Sequence, residues 1–420
     1  SSNIARVTST VTLQNDGSSA ASEFYFALPA GNSTRLSTAF ATQGDDDSLS
    51  VTEDAAAKIS GAPAGTTFYK VKLETPIPAG EDSEVEIEVV FTGAINPFPR
   101  TITQKDNQLV IFYDNLHFFS PYPTTEESVS VTLASSTVEG NYPKEDAEVT
   151  ESTIKYKDFE NLKAFSFELL MAHYQNNKPF VVAETLKRTV QVSHWGALQV
   201  EEAYKLVHTG AKLTGPFSRL DMMRFGAPSS VADVSAVLPA TASDIYFRDV
   251  IGNISSSEIK AGKGSGSEDD VEEDKIEVKM TQRFPLFGGW QTEFYYGYNL
   301  ALEEALNITD SGKYQLTFPF ASPLKEMVTQ EMEIDIILPE GASDVTIKVA
   351  GSTAQAKQTT TLSNLDTAGR PTFTLTGSNI VSPDNDDVVV VEYNFNSASL
   401  YQEPILLTIG FFCIFVTSIV

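Results

Sequence analysis

Apolar and polar residues alternate with a period of two in many short stretches of the chain. Val7, Val11 and Leu13 alternate with Thr8, Thr10 and Thr12, and Val85, Ile87, Val89 and Phe91 alternate with Glu84, Glu86 and Glu88. The same pattern returns at Val129, Val131 and Leu133, at Ile276, Val278 and Met280, at Met332, Ile334, Ile336 and Leu338, and at Val345, Ile347 and Val349. In a strand, successive side chains point to opposite faces, so this pattern predicts sheets with one packed and one wet face. Turn-rich stretches such as NDGSS (15–19), QGDDDS (43–48) and SPDND (382–386) separate them, since Gly, Asp and Asn supply turn geometries. Many short strands with frequent turns predict sandwiches. Helical periodicity is scarce, and LALEEALN (300–307) is its best example.

An apolar strand ending in Leu-Pro occurs three times, as FYFALPAG (24–31), SAVLPA (235–240) and DIILPEG (335–341). The first two follow hairpin-like segments, LQNDGSS and LVHTGAK. This repetition is read as two similar β domains meeting near residues 182–188: an N-terminal domain over 1–184 and a second over 185–400. Chance recurrence in a proline-containing β protein is the competing reading. Within the second domain, IKAGKGSGSEDDVEEDK (259–275) passes from Gly and Ser to acids and reads as a solvated loop near 260–275.

The last 16 residues, ILLTIGFFCIFVTSIV (405–420), carry no charge. A membrane span needs about 20 apolar residues, so 401–420 reads as the start of a transmembrane helix cut before its end. Pro404 just before the run suits a helix start. The chain opens on SSNIAR with no basic and apolar leader. Together these predict a type I layout with most of the chain luminal or extracellular. A buried core helix or strand is the competing reading of the run.

Composition adjusts this picture in three places. With 29 basic against 56 acidic residues the formal net charge is -27, which disfavours nucleic acid as a partner because phosphate binding relies on clustered Lys and Arg. Twenty-six Phe and 15 Tyr against two Trp lean toward strand. The one cysteine, Cys413, falls inside the apolar run, so no intrachain disulfide forms and cysteine usage leaves the compartment open.

Catalytic machinery is not legible. The sequence has no HExxH, no P-loop and no GxSxG. His117, His173, His194 and His208 are not spaced as a compact ligand set, GKGSG (262–266) opens into acids that would repel phosphate, and the DDD (45–47) and DNDD (384–387) clusters lack EF-hand spacing. No catalytic, cofactor-binding or metal-binding residue is therefore assigned. Three sequons, at Asn32, Asn253 and Asn307, are candidate N-glycosylation sites that agree with a luminal topology.

Several segments resemble the ribophorin I family, the type I membrane subunit 1 of the eukaryotic oligosaccharyltransferase complex. They are FFSPYPT (118–124), VSHWG (192–196), HTGAKLTGPFSRLD (208–221), LPATASDIYFRDVIGNIS (238–255), RFPLFGGW (283–290), GYNL (297–300), ILPEG (337–341), DTAGRP (366–371) and YQEPILL (401–407), in family order. The first hundred residues match chiefly through VTLQNDGS and FYFALP. The acidic insertion at 264–274 and the end inside the apolar run depart from the family pattern.

The resemblance implies a mainly β protein with two tandem β-sandwich-like luminal domains, similar to the non-catalytic β domain of certain aminopeptidases, then a single membrane helix. It implies a non-catalytic accessory subunit in the endoplasmic reticulum membrane that needs no cofactor and supports N-linked glycosylation. Its implied partners are a catalytic multi-span subunit, the other subunits of the complex, the nascent polypeptide, the translocon and the bilayer. Pro121, Tyr122, Pro123, Trp195, Phe287 and Trp290 are the interaction candidates, because aromatics anchor interfaces; core or turn packing is the competing reading for each. Arg219 with Asp221, and Arg248 with Asp249, could form ion pairs that fix domain geometry. Two other functions remain open: a single-span adhesion or receptor ectodomain of tandem sandwiches, and a membrane-tethered hydrolase with paired carboxylates in a deep cleft.

Overall fold

A computed structural model describes residues 3–44, 47–261, 275–325, 327–350, 352–363, 365–382 and 387–419. The GKGSG segment, nearly all of the loop near 260–275, and most of the DDD, SPDND and DNDD turns lie outside these residues. The described chain is mainly β, as the alternation predicts, and its α-helix is confined to Arg219–Phe225, Leu302–Ala305 and Gln402–Ile419. It divides into two compact units: residues 1–180, 208–230 and 287–290 form one, and 181–207, 231–286 and 291–420 the other. Each unit is thus assembled from separated stretches of sequence.

In the first unit, Ala5–Gln14 pairs antiparallel with Asp82–Phe91, Val7 opposite Val89 and Val11 opposite Val85. Its residues alternate half-buried and exposed along the whole strand. This sheet packs on a second one built from Ala21–Leu28, Thr67–Ile77 and Ser50–Glu53. Phe26 and Val71 from one sheet and Val85 and Ile87 from the other form a shared core. A separate core gathers Val110, Ile154, Tyr156, Ala172 and Phe180. The 129–133 alternation yields only a short strand, Ser130–Thr132.

The second unit is organised around an eight-stranded sheet. At its centre Val181–Ser193 runs parallel to Val328–Ile337, Gln191 opposite Ile337. Three-stranded and five-stranded sheets accompany it. The helix expected over 300–307 is a single turn, Leu302–Ala305, with strand on either side. Only Leu302 and Ala305 are buried there, one helical repeat of apolar spacing, and Leu300 and Leu306 go to the flanking strands. Beyond Val388–Asn394, Asn396 caps a 3-10 turn through Ala398 N–H at 3.0 Å, and Gln402–Ile419 follows as a continuous helix.

Of the three Leu-Pro segments, the second and third coincide in detail. Pro239 and Pro339 carbonyls accept from Ala242 at 3.0 Å and Ala342 at 3.1 Å. Asp244 and Asp344 both take left-handed backbone, φ 51° and 50°. Their carboxylates accept from Asn299 at 2.9 Å and Asn394 at 2.8 Å. The finest repetition therefore lies inside the second unit, about one hundred residues apart.

Candidate functional site

A dense polar cluster is built at the end of the eight-stranded sheet from which the C-terminal helix departs. Register puts the hairpin tip 193–196, the turn 339–342 and residues 362–363 and 365–369 at this end, since Gln191 lies opposite Ile337, Ile337 opposite Thr372, and Thr361 opposite Arg370. Glu340 Oε1 accepts from the backbone N–H of Thr367 at 2.9 Å, of Gly369 at 3.1 Å and of Ala368, and from the Thr367 hydroxyl at 3.0 Å. Its Oε2 accepts from Gln402 at 3.1 Å. Burial would raise the Glu340 pKa, but the donors converging on the charged form outweigh it and hold it below the ordinary carboxylate value. Arg370 spans Asp366 at 3.1 Å and Glu403 at 2.8 Å. Gly341, at φ +91°, presents its bare Cα to Ser399, whose Oγ would lie 2.7 Å from a Cβ there. Six hydrogen-bonding side chains, Glu340, Asp366, Thr367, Arg370, Gln402 and Glu403, and one close approach thus clamp the helix start to the sheet.

Deeper in the second unit, Arg188 is fully enclosed. Its Nε donates to Glu202 Oε1 at 2.6 Å, its Nη1 to the carbonyls of Pro319 and Phe320 at 2.9 and 3.1 Å, and its Nη2 to Ala321 at 2.8 Å. Glu202 Oε2 accepts from the hydroxyls of Tyr296 at 2.8 Å and Tyr204, and Tyr204 also meets Ser322 at 2.7 Å. Burial opposes the guanidinium charge, but Glu202 and the surrounding Tyr298, Tyr204 and Tyr296 together outweigh it and the pKa rises. Burial and the Glu202 charge both push the two tyrosines up. These groups are saturated with partners and fasten residues 319–322 to the sheet, which is structural work rather than chemistry on a ligand.

A family model described as Ribophorin I matches residues 1–420. The chain belongs to the ribophorin I family. It is 36% identical over 430 aligned residues to dolichyl-diphosphooligosaccharide–protein glycosyltransferase subunit 1A of Arabidopsis thaliana, covering 100% of this chain and 67% of that one. Subunit 1 from Caenorhabditis elegans is 34% identical over 427 residues, covering 100% and 70%. Among solved structures, an M1 zinc metallopeptidase from Deinococcus radiodurans aligns with 50% of this chain and 42% of its own at 13% identity and TM-score 0.29, a likeness too slight to argue from.

The ribophorin I motifs read from the sequence come together in space. ILPEG, DTAGRP and YQEPILL supply Glu340, Asp366, Thr367, Arg370, Gln402 and Glu403 to the helix clamp. GYNL and LPATASDIYFRD meet where Gly297 lies under the Tyr246 ring, whose hydroxyl would be 2.3 Å from a Cβ. HTGAKLTGPFSRLD meets the FGGW turn, with Leu213 N–H donating to Gly288 at 3.1 Å and Gly289 N–H to His208 at 2.8 Å.

The six interaction candidates of this ribophorin I chain differ in how far they are buried. Phe287 is buried, 4% exposed, and packs with Phe217 and the half-buried Trp290. Pro121 is buried, whereas Pro123 is exposed. Tyr122 is part-exposed, with its hydroxyl accepting from Tyr25 N–H at 3.2 Å. Trp195 stands out at the hairpin tip, 64% exposed. The envisaged pairs take other partners: Asp221 meets Lys105 at 3.2 Å, and Asp249 pairs with Arg283. Each aspartate is better reached by a cation from another segment than by its neighbour in sequence. Arg283 draws the Asp249 carboxyl down to about 2.

The four histidines take separate partners, Glu127 for His117, the Phe98 carbonyl for His173, Tyr393 for His194 and the Ser229 carbonyl for His208. Among the described residues no three His, Cys, Asp or Glu side chains gather as a metal site. An open groove on the sheet is lined by Lys187, Glu333, Asp335 and several threonines. Lys187 binds Glu333 at 2.8 Å and Asp335 at 3.0 Å, so these acids are joined through a cation and are not arranged as an unpaired acid and base. Sequence reasoning missed Glu340 and Arg188. The first was visible only as a letter in a motif, and the second lies in a strand whose neighbours are far away in sequence.

Proposed function

We propose that this protein is an accessory, non-catalytic subunit of the oligosaccharyltransferase complex, set in the endoplasmic reticulum membrane by its C-terminal helix with its β units in the lumen. The observation that carries the reading is the match of the whole chain to the ribophorin I family, with relatives named as subunit 1 of the dolichyl-diphosphooligosaccharide–protein glycosyltransferase. The 3-10 turn and the helix after it, taken together over Ser397–Ser418, are long and apolar enough to cross a membrane, which supports the anchor. The clamp of Glu340 and Arg370 on Gln402 and Glu403 supports a brace, because it fixes the helix start to the sheet. The protein would hold the catalytic multi-span subunit and the other subunits in position, present sequons of the nascent polypeptide near the translocon, and act by proximity without bond chemistry of its own.

Depleting the protein from cells should lower sequon occupancy on reporter glycoproteins, read by mass spectrometry. The purified chain given lipid-linked oligosaccharide and acceptor peptide should transfer nothing. Transfer by the isolated chain would overturn the non-catalytic reading, and release from mild detergent without the multi-span transferase would favour a free-standing receptor.

A further inference from the structure

Four large hydrophobic side chains stand exposed at the sheet end that holds the helix: Trp195 at 64%, Leu362 at 72%, Leu365 at 37% and Tyr401 at 62%. They come from three separated stretches of sequence. Leu362 and Leu365 belong to the loop whose Thr367 binds Gln402, and Tyr401 immediately precedes the helix. Trp195 caps a strand two positions across the sheet from Arg370–Val381, about 10 Å at ordinary strand spacing. Charges beside them are paired: Arg370 is held by Asp366 and Glu403, and Glu340 is covered by N–H donors. Beyond Pro404 the helix is exposed from Ile405 to Ser418.

We propose that this end of the second unit lies in the headgroup layer of the bilayer, with Trp195, Leu362, Leu365 and Tyr401 forming an interfacial collar around the helix start. The inference rests on the reading of the C-terminal helix as a membrane span. The occupant follows from continuity. The helix enters the apolar phase at Ile405, so residues hydrogen-bonded to Gln402 and Glu403 stand at the level where a bilayer surface begins. Trp and Tyr favour that layer because their rings are apolar and their polar edges need water. Pairing of Arg370, Asp366 and Glu403 suits a region of falling dielectric, where an unpaired charge is costly. The collar gives the sheet several contacts with lipid in addition to the helix, and so sets the tilt of the second unit on the membrane.

The chain has two tryptophans and one cysteine, which makes the test direct. The 420-residue chain, labelled with a fluorophore on Cys413 in detergent, is reconstituted into phosphatidylcholine vesicles brominated either near the top of the acyl chain or near its end. Shallow bromines should quench a portion of the tryptophan emission that is absent in Trp195→Phe, while deep bromines quench the Cys413 label. Equal tryptophan quenching in wild type and Trp195→Phe, with the Cys413 label still quenched, overturns the collar and leaves the span intact. A Cys413 label untouched by deep bromines removes the span, and the collar with it. Should Trp195 escape the lipid quenchers and blue-shift only in the co-purified complex, the surface belongs to a protein subunit and the lipid assignment falls.

Discussion

The His208 imidazole is fully buried, and both of its nitrogens are engaged: Nε2 meets the Ser229 carbonyl at 2.6 Å, and Nδ1 accepts from Gly210 N–H at 3.1 Å. That pattern requires a neutral ring with its proton on Nε2, because a protonated Nδ1 would face another donor. Burial holds its pKa below the ordinary histidine value, against the pull of the Ser229 carbonyl. The unfolded chain therefore takes up this proton first as pH falls. The stabilisation is fully present above about pH 6.5 and declines as pH falls from there toward the depressed folded value. Unfolding free energy followed by urea denaturation should fall from pH 7.5 to 5, and His208→Gln should flatten that slope by at most about 1.4 kcal/mol per pH unit. An unchanged slope in the variant would contradict the assignment. The burial and the Ser229 contact were not legible from the sequence, where His208 is one histidine in LVHTGAK and the carbonyl that fixes its proton lies 21 residues on.

Strands with one wet face were legible, because alternation is a local property: Ala5–Gln14, Asp82–Phe91, Lys275–Leu286 and Val328–Ile337 fall where the pattern put them. Their partners were not. No local rule joins Val182 to Val328, or returns residues 208–230 and 287–290 to the first unit. The FGGW turn illustrates what such long-range packing demands. Gly288 lies against the backbone of Ala211, and a Cβ there would fall 1.9 Å from the Ala211 oxygen. Backbone on both sides cannot step aside as a flexible side chain would. Gly288→Ala should destabilise the first unit by about 3 kcal/mol, the upper range for overpacking. Gly140→Ala, at a glycine with nothing within 4 Å of its Cβ position, should stay within about 0.5 kcal/mol. Comparable unfolding midpoints for the two variants would refute the close approach.

At the scale of the whole molecule, the proposed luminal setting is testable at the three sequons, which differ in how well the fold accommodates a glycan. Asn307 is exposed on the short strand Leu306–Ile308, which has a single partner strand in its sheet. Asn253 is also exposed, though its Oδ1 accepts from Arg248 Nε at 2.7 Å. Asn32 is half-buried and donates through Nδ2 to Asp114 at 3.3 Å. Glycosylation replaces one hydrogen of that same nitrogen and would place a sugar near Asp114, a carboxyl whose pKa burial already raises. Transfer precedes completion of the fold, so exposure in the folded state decides which glycans it tolerates. Protein purified from a glycosylating host should therefore carry a glycan on Asn307 at high occupancy, on Asn253 at similar or lower occupancy, and least on Asn32, as read by glycopeptide mass spectrometry. Asn307→Gln should remove one glycan's mobility shift without lowering thermal stability, whereas Asn32→Gln should leave mobility nearly unchanged and weaken the Asp114 contact. An Asn307 found bare in material whose other sequons are filled would place that strand edge against a neighbour in the assembly, and uniformly bare sequons would argue that these units never face the lumen.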